Sequence, residues 1–373
     1  MIPCSDTFKQ ATRYPHGLSV TVDLITSKYP WSRDFSVVAK DVPVISAAYQ
    51  ADFYAKARLT ADVTLANDVV NDLVKDRLSV EGSRLRLKAG ITTIGYTEEL
   101  TLGTFRVDDM EPTDDEQYDV SCSGLEAYII DARFLKPVKP PYGASTIETI
   151  KTLIRQILPN QKIIVEATRD AKVQLRAIWQ RERWDAIEAL ATSINAEVFA
   201  DWRGAFVIRN IPKLAGGTPT IELDEGTSGV LLSRSQKQTR DRVYNAVAVS
   251  GTSTDTNKTP PFAWSYDRDK ASPTYYYGPF GQVPRFYVSQ FLRTNAQCQD
   301  IADRMLADAK AANRSLSVES LTLLFAEVED RARITLLDGS RETHMISKMT
   351  TNLGVGGSMK IDTISTKNLA TGE

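Results

Sequence analysis

The chain has 373 residues, a length typical of about two to four domains. Its apolar fraction of 42% and charged fraction of 25% are those of an ordinary globular protein, which argues against a disordered, collagen-like or coiled-coil chain. With 45 basic and 47 acidic residues the net charge is -2, so a protein whose main task is to grip phosphate groups is disfavoured.

The cysteines and the N-terminus give no sign of export. Cys4, Cys122 and Cys298 lie too far apart in sequence for a zinc knuckle or a disulfide framework, and we predict that they are buried as small hydrophobic residues. The first 24 residues hold no apolar run of the length that a signal peptide needs, and no stretch could span a bilayer. We therefore expect synthesis and folding in a cytoplasm.

Alternation of apolar and polar residues dominates the first third of the chain. In residues 56–65 the odd positions are apolar, and residues 18–24 alternate in the same way. Shorter runs follow at 85–87, 105–107 and 118–122. Short strands separated by Gly-, Pro- and Asp-rich breaks are typical of a barrel or sandwich, and we assign residues 1–136 to a first domain of this kind.

Proline crowding in residues 137–143 marks the next boundary, after which the period changes from two to about 3.6. Ser145 with Glu148 predicts a capping box at the start of a helix that ends before Pro159. A second helix carries Trp184, which we expect in the core rather than at a stacking site. A hairpin over 197–209 completes a predicted α+β domain at 137–213.

Strand signals resume in the remainder, residues 214–373, which we assign to a further domain that ends in a helix and strands. An irregular stretch covers 251–284, and Thr294 with Gln297 predicts another capping box and helix. Apolar pairs at 334–336, 345–346 and 359–361 indicate closing strands. The fold class is thus mainly β with α+β insertions, and the sequence shows no repeat of fixed period.

Aromatic residues crowd the irregular stretch and its end. Because tyrosine-rich irregular segments favour interfaces, this loop is a candidate contact with another subunit or a partner, with packing inside the loop as the equal alternative. Its candidate residues are Tyr275, Tyr276, Tyr277, Phe280, Phe286 and Tyr287.

The densest charge feature spans residues 107–119, which contain no basic residue. Clustered carboxylates repel one another and are usually solvated, so the simplest interpretation is a loop between two strands. The functional alternative is a surface that repels DNA or binds a cation. The acidic residues are Asp108, Asp109, Glu111, Asp114, Asp115, Glu116 and Asp119.

Catalytic and metal-binding motifs are absent from the sequence. The two histidines, His16 and His344, stand near no serine or cysteine signature. The segment from Asp267 begins like a calcium loop but has Gly278 at the place of the bidentate glutamate. Acid pairs could serve glycoside hydrolysis, yet nothing selects a pair. We predict no catalytic residue, no metal and no cofactor.

Four passages resemble the minor tail or baseplate-hub proteins of tailed bacteriophages, which also form the N-terminal structural part of tail-associated lysins. They are LGTFRVDDMEP with YDVSCSGLEAYIIDARFLKP, PPYGASTIETIKTLI with RWDAIEALATSINAEVFADWRGAFVIRNIP, RDRVYNAVAVSG with DRDKASPTYYYGPFGQVPRFY, and the helix and strands from residue 294. The third passage resembles hubs of actinobacterial phages. Residues 40–50 depart from the glycine-rich strand expected near the first barrel.

The resemblance implies that residues 1–136 form a first hub β-barrel and residues 214–373 a second, with a C-terminal helix and strands. It further implies a homotrimer in which the two barrels per chain form a pseudo-sixfold ring at the tail tip of a virion. Such a ring would join the sixfold tail tube to the threefold tip and let genomic DNA pass without stable binding. Implied partners are the distal tail protein, the tape measure protein and tip or fibre proteins. The acidic segment would face the lumen or the tube junction.

Two other function classes stay open at this stage. One is a cell-wall hydrolase of the tail tip, although the resemblance spans nearly the whole chain and leaves no room for an appended lysin domain. The other is a receptor- or carbohydrate-binding tail protein that uses the tyrosine-rich loop. On balance, the sequence favours a structural protein and not an enzyme.

Overall fold

A computed structural model shows a mainly β protein, with 45% of residues in strands and 15% in helices. The predicted fold class, mainly β with α+β insertions, is confirmed. The structure describes residues 1–365 except for 28, 30, 31, 67–77, 114–116, 141–142, 174–177, 213–216, 227–228, 239, 241–242, 253–258, 313 and 355.

The helices of the described residues are short except for the last. They are α1 (Asp6–Ala11), α2 (Glu126–Asp131), α3 (Thr146–Arg155), α4 (Arg183–Ser193) and α5 (Asn295–Ala312). The strands are β1 (Gly17–Ser27), β2 (Phe35–Pro43), β3 (Ser46–Asp52), β4 (Leu59–Ala66), β5 (Ser83–Thr93), β6 (Tyr96–Thr113), β7 (Gln117–Gly124), β8 (Ile163–Val165), β9 (Ala196–Ala200), β10 (Phe206–Asn210), β11 (Ile221–Asp224), β12 (Leu231–Gln238), β13 (Ala246–Ser250), β14 (Phe262–Tyr266), β15 (Pro284–Val288), β16 (Arg314–Leu321), β17 (Arg331–Thr335), β18 (Arg341–Asn352) and β19 (Ser358–Ser365).

Thirteen strands form one large sheet. Its main path is β12-β16-β19-β18-β3-β4-β7-β6-β5-β1-β2, and β17 joins β11 to β18. Within the described residues this path ends at β12 and β2 without closing on itself. Because β3 pairs with β18, strands from the two ends of the chain share one sheet. The domain borders at 136/137 and 213/214 stay predictions, and the second lies at residues outside the described part.

The large sheet contains the same five-strand unit twice. The pairing order β3-β4-β7-β6-β5 is repeated as β12-β16-β19-β18-β17. In each unit the long strand has a bulge at the same place, at Asp108 in β6 and at Ser347 in β18. Asp109 and Lys348, the first residues after the two bulges, therefore occupy equivalent positions in the two units. The remaining equivalent residues are found by following the strand pairing outward from these two.

The two units share one hydrophobic core on one side of the sheet. In β4 the odd positions from Leu59 to Leu65 are buried, as the alternation predicts. Val63 of the first unit and the equivalent Val318 of the second both belong to this core. Alternate residues of a strand point to opposite faces, so the polar residues between the buried ones lie together on the opposite side of the sheet.

The predicted α+β unit surrounds a second core. Ser145 caps α3 by accepting a hydrogen bond from the Glu148 amide, 3.0 Å away, so this part of the capping box is confirmed. Helices α2, α3 and α4 pack with the small sheet β8-β10-β9. Trp184 is buried in this core, and its indole Nε1 donates to Glu188 at 2.8 Å.

A third unit joins β12 to β16. Helix α5 covers one side of the small sheet β14-β13-β15 through side chains that include Cys298 and Met305. At its start Thr294 and Gln297 exchange hydrogen bonds of 3.1 and 3.2 Å, which confirms the second predicted capping box. The stretch predicted as irregular, 251–284, in fact contains β14.

A buried group of charges links the α+β unit to both five-strand units of the large sheet. Arg58 precedes β4 and contacts Glu197 of β9 at 3.1 Å and Glu329 before β17 at 3.6 Å. Arg209 of β10 pairs with the same two carboxylates. The Phe199 ring packs against both guanidinium groups, 3.8 Å from that of Arg58 and 4.5 Å from that of Arg209.

Candidate functional site

Most of the predicted acidic segment is a strand hairpin, β6–β7, rather than a loop. Asp108, Asp109 and Glu111 belong to β6 and Asp119 to β7. In the register Glu111 faces Asp119 and Asp109 faces Ser121, so these side chains share the polar side of the sheet. Asp114, Asp115 and Glu116 lie outside the described residues.

Strand pairing brings a further acidic residue, from outside segment 107–119, next to these side chains. Asp62 of β4 faces Ser121 and accepts a hydrogen bond from its hydroxyl at 2.8 Å, and Asp119 accepts one from Thr64 at 2.8 Å. The charge pattern of the sequence did not identify Asp62, because this residue lies about 50 positions earlier in the chain, in β4, and only strand pairing brings it close. We call Asp62, Asp109, Glu111 and Asp119 the acidic surface, and all four are exposed.

Asp108 behaves differently from its neighbours. It lies at the bulge of β6, and its carboxylate contacts the Arg106 guanidinium at 2.5 Å. Arg106 also contacts Asp131 of α2 at 2.6 Å. Asp108 therefore helps to join the hairpin to the α+β unit, whereas the acidic surface faces away from the core.

The polar side of the second unit carries balanced charges. Lys348 of β18 pairs with Asp52 of β3 at 3.3 Å, where the two units meet. Asp362 accepts a hydrogen bond from the Ser317 hydroxyl at 2.7 Å, which repeats the Ser121–Asp62 contact with the two residue types exchanged. The polar side is thus continuous over eight strands, acidic in one unit and mixed in the other.

The three consecutive tyrosines of the predicted contact loop form one aromatic cluster. The Tyr276 ring lies 5.1 Å from that of Tyr266 and 5.0 Å from that of Tyr277, which lies 5.9 Å from that of Tyr275. Tyr266 raises the pKa of the Tyr277 phenol, a side chain that is 63% exposed. The three rings pack on one another and Tyr277 also faces solvent, so a contact with a subunit or partner stays a prediction.

Asp267 connects this loop to α5. Its side chain is buried and accepts hydrogen bonds from Lys310 Nζ and from the Thr274 hydroxyl, both at 2.8 Å. Burial acts to raise the pKa of Asp267, but these bonds and one from Ser272 hold it below its ordinary value. The Asp267 carboxylate, the first residue of the calcium-like segment, is thus paired with the ammonium group of Lys310.

The other predicted contact residues lie apart from the tyrosines. Phe280 packs against Arg240, whose guanidinium is 4.5 Å from the ring. Phe286 and Tyr287 are neighbours in β15 and therefore face opposite ways. Tyr287 packs toward α5, whereas Phe286 is 74% exposed.

An apolar surface that the sequence did not suggest surrounds Phe286. Trp264 of β14 and Phe286 of β15 both face Ala248 of the middle strand, and Phe262 and Val288 both face Ser250. These four large side chains are each about half exposed or more. Alternation places them on the side of the small sheet that α5 leaves uncovered, and we call this set the aromatic face.

Neither histidine belongs to a catalytic arrangement of the described residues. The His16 ring contacts the Tyr14 carbonyl at 2.7 Å in a turn, and the buried His344 contacts Thr363 and Glu342 at 3.1 and 3.0 Å. No group of three potential metal ligands occurs in the described part of the chain. No helix there is long and apolar enough to cross a membrane.

No family model matches the sequence, and neither does any curated protein. Solved structures do share the fold. The tail protein from Neisseria meningitidis MC58 is 12% identical with a TM-score of 0.66, over 94% of this chain and 97% of its own. The prophage tail protein gp18 from Listeria monocytogenes EGD-e is 12% identical with a TM-score of 0.57, over 93% and 95%.

The 43 kDa tail protein of prophage MuSo2 from Shewanella oneidensis is 11% identical with a TM-score of 0.56, over 94% of this chain and all 100% of its own. The likeness therefore includes the large sheet and the units inserted in it. The chain has the fold of these tail proteins.

Proposed function

We propose that the chain is a structural subunit of a phage tail tip, a baseplate hub of the minor tail protein type, and that it resides in the virion. The observation that carries this proposal is the shared fold, because it spans more than nine-tenths of this chain and of three tail proteins. The actinobacterial host group stays a prediction from the sequence.

Within this proposal the subunit forms a homotrimeric ring. Two five-strand units per chain give six units in three chains, which matches a trimer to a sixfold tail tube. The two units take the place of the two barrels expected from the sequence. Partners proposed on the same basis are the distal tail protein, the tape measure protein and tip or fibre proteins.

The polar side of the large sheet is the surface that we assign to the central channel. Its acidic surface would repel the phosphate groups of DNA and so favour passage without stable binding. A channel lined by strands also needs no exposed apolar residue, because every second side chain is directed into the core.

Light scattering at several protein concentrations, with negative-stain images, tests the ring. A mass of three chains and a ring with a central hole are expected. A stable dimer would contradict the hub assignment and favour one of the other two classes.

The hydrolase alternative is separable by zymography with purified protein and peptidoglycan. We propose that the chain has no such activity, since the acids of the polar side are spread over an exposed sheet and engaged by neighbouring hydroxyl groups rather than gathered in a cleft. A cleared band would overturn this part of the proposal.

The aromatic face specifically favours a second candidate, a tail protein that binds a receptor or carbohydrate. Exposed aromatic side chains on a flat surface are typical of recognition sites. This candidate predicts that the isolated protein binds host cells, and that Trp264→Ala with Phe286→Ala abolishes the binding. A hub that contacts its tail neighbours through this face would not bind cells.

A further inference from the structure

The two five-strand units meet within the chain at one junction. There β18 of the second unit pairs with β3 of the first, in a register that runs from Lys348 opposite Asp52 to Asn352 opposite Ala48. Side chains also meet across it, since Lys348 Nζ lies 3.3 Å from Asp52 and the Thr350 hydroxyl 3.5 Å from Gln50.

Each unit also has one strand edge that is unpaired among the described residues, and these two edges correspond to the two strands of the β18–β3 junction. The equivalent of β18 is β6, whose residues 107–113 pair with β7 alone among the described residues. The equivalent of β3 is β12, which pairs with β16 alone within the same limits. Pro112, which has no amide hydrogen, is typical of such an edge position.

We infer that β6 of one subunit pairs with β12 of the next and so repeats the β18–β3 junction between copies of the chain. This inference rests on the proposed hub function and gives its ring a defined contact. Both junctions would be antiparallel, because β6 and β18 run in the same direction along the sheet, as do β3 and β12. A contact between two different edges is heterologous, and it closes into a ring when the rotation allows.

The register of this contact follows from the equivalence of the units. Glu111 is equivalent to Thr350 and Lys237 to Gln50, so Glu111 would stand opposite Lys237 of the next copy. In the same way Thr113 would stand opposite Ser235. An acidic position on one edge thus meets a basic position on the other, and opposite charges directly across a strand pair are stabilising.

Cysteine cross-linking of the full-length chain tests the register. In the variant Thr113→Cys with Ser235→Cys, paired strands bring the two Cβ atoms of neighbouring subunits to about 5 Å, within reach of a disulfide. Cys4→Ser in the background removes the half-buried native thiol. The control, Thr113→Cys with Leu232→Cys, places the second thiol three residues out of register.

Denaturing gels and light scattering then separate the outcomes. Cross-linked dimers and trimers in the in-register variant, at least tenfold above the control, support the inference. A trimer in solution without in-register cross-links overturns the β6–β12 contact and leaves the hub proposal standing. A monomer at every concentration, without cross-links, overturns both.

A charge exchange tests the pair of residues independently. Glu111→Lys or Lys237→Glu alone should reduce the trimer fraction at low salt severalfold, and the double exchange should restore it. Asp62→Lys is the matched control, since Asp62 lies on the same polar side but away from either edge. Equal loss in the control, or no rescue in the double variant, would contradict the pairing of Glu111 with Lys237.

Discussion

Glu126 is a carboxyl group enclosed by the protein. Its side chain is fully buried, Oε1 accepts a hydrogen bond from the Ala200 amide at 2.8 Å, and Oε2 is buried with no hydrogen-bond partner among the described residues. Burial raises the pKa of Glu126 above its ordinary value, although that bond and nearby Arg58 act in the opposite direction. The neutral form therefore fits the folded state better than the charged one.

Glu126→Gln should increase the stability of the protein at pH 8 and change it little at pH 4. A folded-state pKa above the unfolded one gives stability that is complete at low pH and is lost as the pH rises toward the folded value. Glutamine keeps the acceptor for Ala200 without that loss. The thermal midpoints of both proteins at the two pH values measure this.

The exposed Glu81→Gln serves as the control for this change, and its midpoint should follow that of the wild type at both pH values. A lower midpoint of Glu126→Gln at pH 8 would mean that the carboxylate is charged and held by Arg58.

Arg58 should be the most sensitive member of the buried charge group. Arg58→Met leaves Glu197 and Glu329 with less compensation in a site that excludes water, and removing one partner of a buried pair typically costs about 3–5 kcal/mol. The midpoint of urea unfolding measures the loss. Arg133→Met, at a surface ion pair, should cost less than about 1 kcal/mol, and equal effects would contradict this interpretation.

At the scale of elements, the Asp267–Lys310 contact holds the tyrosine-rich loop against α5. Asp267→Asn removes the charge that Lys310 and Thr274 contact, so amide hydrogen exchange in residues 267–281 should become at least tenfold faster while the large sheet is unchanged. Because the pKa of Asp267 is lowered, the same loosening should occur in the wild type as the pH falls through that value.

Asp6→Asn is a suitable control, since this carboxylate is exposed on α1. Unchanged exchange in the loop of Asp267→Asn would show that ring packing alone orders the tyrosines.

The sequence predicted those elements whose buried and exposed residues alternate. Strands such as β4 and helices with a capping residue, such as α3, were found in this way. Strand β2 was missed because its burial pattern has no period of two. In β14 the large residues Phe262 and Trp264 are exposed while Ala263 and Ser265 are buried, which reverses the usual signal.

The candidate site was predictable in its composition but not in its arrangement. Charge density identified Asp109, Glu111 and Asp119, yet it could not show that Asp62 joins them, since strand pairing decides that. The internal repeat was invisible for a related reason. Equivalent positions of the two units carry different residue types, as with Glu111 and Thr350, so a comparison of the sequence with itself shows no repeat. What the units have in common is the order of their strands and the position of the bulge.

At the scale of the whole molecule, the shared core makes the two five-strand units interdependent. Ile361 of β19 is fully buried in that core. Ile361→Ala should cost about 2–5 kcal/mol and should speed amide exchange in β3 and β4 as much as in β18 and β19. The exposed Ile94→Ala is the control. A loss of protection confined to the second unit would show that the units unfold separately.

The β3–β18 pairing also sets the order of events during synthesis. Gln50 and Thr350 are neighbours in the sheet but 300 residues apart in the chain. At about 5–20 residues per second the ribosome needs roughly 15–60 s to make the second strand after the first. For that time the growing chain carries an unpaired β3 edge, which can pair with other chains, so nascent-chain chaperones should matter more for this protein than for one built from local contacts.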